Sequence, residues 1–279
     1  MINKILIFIF FIVLAGACNF KKENKPVKFG EYILSKDSSK RIALSNQLKE
    51  ISGLAYLNGN LLAHNDELGI IYKLNIDDGE IISSYSLGDK KVRKDFEGIA
   101  VKEDSIFLIT SGGSIYVWQL GSDANDFRII ETGLKEKNNI EGLCYDQKTN
   151  SLLIACKDFP GNNFKVFKAI YSFNLQTEKL ILKPRFLLSL DEINSKIRIK
   201  NFSPSGIEIN PITGNCFIIS SKDKAIIEID DEGKIINYAA LPRFHNQPEG
   251  ITFTPNGDLV ISDEGNPGAA AITIYKLIK

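Results

Sequence analysis

The 279-residue sequence has few cysteines and histidines, no excess of either charge and almost no long apolar runs. Each shortage removes a class of function. The four cysteines, Cys18, Cys144, Cys156 and Cys216, form no Cys-x-x-Cys pair and show no Cys/His spacing suited to zinc. The last three lie inside apolar runs, and an odd number cannot all pair in an oxidising compartment, so buried free thiols are expected. Lysine plus arginine equals aspartate plus glutamate at 34 each. No basic field therefore exists to attract a nucleic acid backbone. The apolar run from Ile5 to Leu14 falls well short of the roughly 20 residues a transmembrane helix needs. No Ser, Cys or Thr stands in a recognisable nucleophile motif.

What the chain does contain is a phrase that returns. Ser52-Gly53-Leu54-Ala55-Tyr56, Glu97-Gly98-Ile99-Ala100-Val101, Glu141-Gly142-Leu143-Cys144-Tyr145, Ser205-Gly206-Ile207-Glu208-Ile209 and Glu249-Gly250-Ile251-Thr252-Phe253 are variants of one pattern. The glycines are 45, 44, 64 and 44 residues apart, the spacing at which a repeat folds as one four-stranded sheet of a β-propeller. After each phrase comes a polar turn, such as Asn58-Gly59-Asn60 or Pro255-Asn256-Gly257-Asp258. A second apolar, β-branched run follows, such as Ile106-Phe107-Leu108-Ile109. The fold class read from this is all-β, a single propeller of five four-stranded blades over residues 29–279, with six blades as the alternative. The long interval predicts an insertion near Asp191 to Lys200, read as a short helix. The last repeat supplies only three strands, so the segment from Phe29 to Leu44 is predicted to complete it and close the ring.

Lys4, the apolar run and the small residues Ala15-Gly16-Ala17 make residues 1–17 a signal peptide. Leu14-Ala15-Gly16-Ala17-Cys18 resembles a bacterial lipoprotein box. That resemblance implies lipidation of Cys18 and attachment to a membrane through the lipid; Leu14 stands one place earlier than the usual pattern puts it. Residues 18–28 are polar and read as a flexible tether. Asn19 after the cysteine favours an outer-membrane destination in a bacterial cell envelope.

The residues preceding the five glycines recur at one mouth of the central channel, and the ends of the adjacent strands return beside them. This gathers Glu97, Glu141 and Glu249 with Asp66 and Asp263. Grouped carboxylates require protons, a basic partner or a cation. A calcium ion, with its six to eight oxygen ligands, is one solution. Pairing with Lys157 or Lys222, which would simply join the blades, is the other. His64 and His245, the only histidines, are expected to face the same mouth and are the candidates for general-base work.

Taken together, Ser-Gly-Leu-Ala-Tyr, Phe-Glu-Gly-Ile-Ala, Ile-Glu-Gly-Leu and Pro-Glu-Gly-Ile-Thr in an exported chain resemble the SdiA-regulated (YjiK-like) β-propeller family over about residues 45–279. This implies a propeller at the envelope. A more distant likeness is to the calcium-dependent lactonase and phosphotriesterase propellers, in which metal ligands stand just before a glycine of several inner strands. Glu97, Glu141 and Glu249 match those positions, whereas Ser52 and Ser205 depart from them. Two functions follow as expectations. The first is an envelope-anchored binding or scaffold module, a monomer with a protein or small-molecule ligand; the alternative is a calcium-dependent hydrolase of lactones or esters.

Overall fold

The computed structural model describes residues 26–199 and 201–278. The expected signal peptide, Cys18 and most of the tether lie outside the described residues. Two short strands, β1 (Val27–Phe29) and β2 (Tyr32–Leu34), form a hairpin, and β3 (Ser39–Ala43) follows. Blade 1 consists of β4 (Ile51–Leu57), β5 (Asn60–Asn65), β6 (Ile70–Asn75) and β7 (Ile81–Ser86). Blade 2 consists of β8 (Phe96–Lys102), β9 (Ser105–Thr110), β10 (Ser114–Gln119) and β11 (Phe127–Glu131). Blade 3 consists of β12 (Ile140–Asp146), β13 (Ser151–Cys156), β14 (Phe167–Asn174) and β15 (Lys179–Ser189). Blade 4 consists of β16 (Gly206–Ile209), β17 (Cys216–Ser220), β18 (Ala225–Ile229) and β19 (Ile235–Ala240). Blade 5 takes β20 (Pro248–Phe253), β21 (Leu259–Asp263) and β22 (Ala271–Tyr275) and completes itself with β3.

The protein is therefore a five-bladed β-propeller, and the six-bladed alternative is excluded. Closure uses a shorter segment than expected. Only Ser39 to Ala43 pairs with β22, with Ile42 opposite Ile272. The hairpin ahead of it has another task. Phe29, Tyr32 and Leu34 are almost fully buried and pack with Phe217, Phe253 and Leu259 between blades 4 and 5. Tyr32 donates to the Gly257 carbonyl at 2.6 Å and accepts from the Asn210 amide at 2.9 Å. The long third interval is filled by the 11-residue β15, by a wide connection between β13 and β14, and by helix α1 (Leu190–Ile197) at the expected insertion. Ser189 caps that helix by accepting from the Glu192 N–H.

The core is a ring rather than a centre. Each of its five apolar layers lies between two neighbouring blades, as Ile154, Ile140 and Phe107 do between blades 2 and 3. All three of the described cysteines are buried and unpaired, as expected. At the hairpin turns the sequence supplies residues that accept a left-handed backbone. Asn58 and Gly59 both have positive φ, 47° and 84°, as a two-residue turn between twisted strands demands.

The repeated glycines stand where each inner strand passes the next, and Gly53 and Gly250 also lie against His64 and Ser262 of their own blades. A Cβ on Gly98 would stand 2.9 Å from the Leu143 nitrogen of the next blade, one on Gly206 2.6 Å from the Glu249 carbonyl oxygen, and one on Gly250 2.8 Å from Leu54 Cβ. Gly53 meets Ile99 and Gly142 meets Ile207 in the same sense, so the approaches run from blade to blade around the closed ring. Gly206→Ala is expected to lower the thermal midpoint by several degrees, since forced overpacking costs about 1–3 kcal/mol. Gly112→Ala, whose added Cβ would make an ordinary 3.6 Å contact with Glu136, is expected to leave it unchanged; parallel melting curves compare the two.

Candidate functional site

In four of the five blades the residue before the repeated glycine is a bulge. Register shifts between Ile51 and Gly53, Phe96 and Gly98, Ile140 and Gly142, and Pro248 and Gly250 leave Ser52, Glu97, Glu141 and Glu249 outside the strand pairing. A bulge re-aims the side chain it carries, and here the four converge on one end of the central channel. In blade 4, Ser205 takes the same place but turns its hydroxyl to the Pro248 carbonyl at 2.7 Å. The inner strands approach so closely that the channel at this level holds only about 10 Å³, room for a single water.

The carboxyls at this mouth are held by their neighbours. Ser52 donates to Glu97 at 3.0 Å, and Lys157 Nζ stands 2.9 Å from Glu141 Oε1. Burial is the main force on the acids. It pushes Glu97 up to about 9, aided by the charges of Glu141 and Asp95, and pushes Glu249 up to about 8, eased by a hydrogen bond from Ser221. Glu141 is also raised by burial, in spite of the Lys157 ammonium beside it. Burial draws Lys157 down, but Glu141, Glu249 and Glu97 outweigh it and its pKa ends above the usual lysine value. At neutral pH Glu97 and Glu249 are therefore protonated, and Glu141 is in contact with the Lys157 ammonium.

Two residues that the sequence reading did not single out belong to this group. Glu264, raised to about 7 by burial and by the charges of Asp66 and Glu50, faces the mouth and accepts from the Gln247 amide. Asp95 adds its charge to Glu97 and Glu141. Period-two alternation was a signal for Asp95, two before Glu97. Asp66 lies on the rim, raised by burial and by Glu50 and Glu67, with Oδ1 buried and without a partner.

Asp263 is placed elsewhere. It is fully buried between blades 4 and 5, where Oδ2 takes a 2.7 Å contact from Arg41 and a 2.8 Å hydrogen bond from His245 Nδ1. His245 Nε2 and the Tyr275 hydroxyl share a hydrogen bond at 2.7 Å. His64 is also wholly buried, its ring against Gly53. Its Nδ1 donates to the Asn65 carbonyl at 3.0 Å, which leaves Nε2 an acceptor without a partner. Burial pushes His64 down to about 4, so it is neutral. The expectation that both histidines face the mouth is thus corrected: each is sealed within the blades.

A calcium site built from Glu97, Glu141, Glu249, Asp66 and Asp263 does not fit this arrangement. Asp263 is buried away from the mouth and held through Oδ2 by Arg41 and His245, Lys157 already carries positive charge to Glu141, and among the described residues no group of three or more His, Cys, Asp or Glu is disposed to hold a metal. The glutamates instead predict a pH response. A carboxyl raised in the folded state gives stability that falls as pH climbs towards the folded value, by at most about 1.4 kcal/mol per pH unit for each group. His64, lowered in the folded state, acts oppositely and only below about 6.5. Melting temperature is therefore expected to fall from pH 7 to 9, and Glu97→Gln to flatten that slope and raise the midpoint at pH 8.5; scanning calorimetry across the range checks both.

No curated protein matches the chain. Among solved structures, the fold resembles the glutaminyl cyclase of Myxococcus xanthus at 12% identity and a TM-score of 0.56, over 85% of this chain and 94% of that one. A streptogramin B lyase gives 12% identity and 0.48 over 85% and 97%, and a chain of a nidogen/laminin complex 17% and 0.48 over 76% and 72%. At such identities the first likeness speaks for the fold alone, and the other two carry no further argument. The Ser/Glu-Gly inner strands that build the channel mouth lie within residues 37–268, the span matched by one family's sequence profile, and the chain belongs to the SdiA-regulated family.

Proposed function

We propose that this propeller is a binding module, held at the bacterial envelope by a lipid on Cys18, and not a hydrolase. The observation that carries the reading is the closure of the charged mouth. Its carboxyls are engaged by Ser52, Lys157 and Ser221 around space for one water. Ester or lactone hydrolysis needs a base within hydrogen-bond reach of a bound substrate, and both histidines are at 0% exposure. A rigid ring with exposed loops and grooves serves recognition instead, and many unrelated functions are grafted on this architecture.

Attachment through Cys18 is consistent with the remainder of the chain. Among the described residues no helix is long and apolar enough to cross a membrane. Three acyl chains would supply ample affinity at about 0.8 kcal/mol per buried methylene. In fractionated cells, wild type is expected with the membranes and Cys18→Ser in the soluble fraction, with labelled fatty acid on the former only. Purified protein is expected to leave chromogenic esters and lactones intact with and without millimolar calcium; calcium-dependent turnover that Glu141→Gln abolishes would establish the hydrolase reading in its place.

A further inference from the structure

The opposite end of the channel differs from the charged mouth in every respect. There the inner strands open into a cavity of about 200 Å³ walled by Tyr56, Tyr145, Phe253, Pro211 and Pro255, with Glu208 as its one acidic group. It adjoins a groove of about 450 Å³ between blades 3 and 4, with which it shares Tyr145, Ile209 and Pro211. Phe186 and Leu153 extend the apolar lining of that groove outward.

Glu208 has no counterpart around the ring. Two residues after the repeated glycine the other blades carry Ala55, Ala100, Cys144 and Thr252, side chains that a closed channel accepts without charge. Glu208 Oε1 accepts from the N–H of its own neighbour Ile209 at 2.9 Å, and among the described residues Oε2 is reached only by the Thr252 hydroxyl at 3.4 Å. No ion pair among the described residues includes it. A carboxyl set in an apolar recess without a countercharge costs stability, and nothing in the packing of blade 4 calls for it. Aromatic faces beside a lone carboxylate are the chemistry that binds organic cations. Lys102 already lies 5.6 Å above the Tyr145 ring, so that ring meets a cation in the free protein.

We propose that the Glu208 cavity is a binding site for a small organic ammonium group, held between the Tyr56, Tyr145 and Phe253 rings and the carboxylate, with any apolar body continuing into the groove beside Phe186. The proposal deepens the binding-module reading and rests on it. Burial raises Glu208 to about 8, so at neutral pH the empty site is mostly protonated and the arriving cation displaces a proton. The groups facing it are Tyr56 and Tyr145 in the cavity, and the thiols of Cys144 and Cys216 with Asp146 behind it. Arg185 and Lys148 stand further out, at the rim of the groove. Burial holds both thiols well above their ordinary value, so neither loses its proton between pH 7 and 9.

Choline tests this, because its charge does not titrate. Calorimetric and saturation-transfer titrations of the intact propeller are expected to show choline binding and no binding of its neutral isostere 3,3-dimethylbutanol. Affinity should rise about tenfold from pH 7 to 9, the change in the fraction of Glu208 ionised. Glu208→Gln should abolish binding, whereas Glu97→Gln at the other mouth should leave it unchanged. Equal binding of the isostere to wild type, an affinity independent of pH, survival of binding in Glu208→Gln or no choline binding at either pH would each overturn the proposal. The isostere and pH arms use only wild type, so they stand even if the variant misfolds. Ester and lactone turnover is read in a separate assay, so a hydrolase would sink the function proposed above without altering the choline result.

Discussion

Five inner strands meeting around one axis set the terms for everything else in this protein. Side chains fit poorly where one inner strand passes the next at about 2.6–3.2 Å from an added Cβ, and each blade surrenders one at the same place, from Gly53 round to Gly250. Because the approaches run in one rotational sense, no blade can be relaxed alone. The apolar layers between the blades follow from the same geometry. Five sheets leaning on one another bury both faces, which is why the middle strands of blade 3, for example, are buried along nearly their whole length and mostly apolar.

The two ends of the axis take opposite solutions to the problem of charge near a narrow channel. At one, several carboxyls gather, and the protein answers with protons, a lysine and serine hydroxyls. At the other, a single carboxyl stands among aromatic rings with little to balance it. The first arrangement is saturated by the chain's own groups and so works as cement between blades. The second is unfinished and is completed from outside.

Much of this was legible in the sequence because it repeats. The glycine phrase located five inner strands, since each faces the same steric demand, and the missing strand of the last repeat identified its partner at the other end of the chain. Glu97, Glu141 and Glu249 were legible as a recurring position. Three features were not. The expected closing segment from Phe29 to Leu44 takes in most of the hairpin, whose Phe29, Tyr32 and Leu34 serve instead contacts with Phe217 and Phe253, some 200 residues on. Asp263 was expected at the mouth, but it pairs with Pro248 beyond the bulge at Glu249 and its side chain is buried inside the blades, while its neighbour Glu264 faces the mouth. Glu208 gave no repeat signal because it occurs once, and a singular departure from a repeat is visible only when the equivalent positions are aligned in space.

Strand β3 is among the first pieces of the chain to be made and among the last to find its mate. Its partner β22 lies some 230 residues downstream, so blades 1 to 4 can assemble from near neighbours in order of synthesis while blade 5 waits for both ends. Long-range pairings of this kind slow folding, and an unpaired edge meanwhile invites other strands. Lys40 and Arg41 sit on that waiting segment, one pointing to solvent and the other destined for Asp263. Charges on an edge deter mispairing with other chains, and Arg41 gives up that guard duty only when the ring snaps shut and its buried carboxylate is in place.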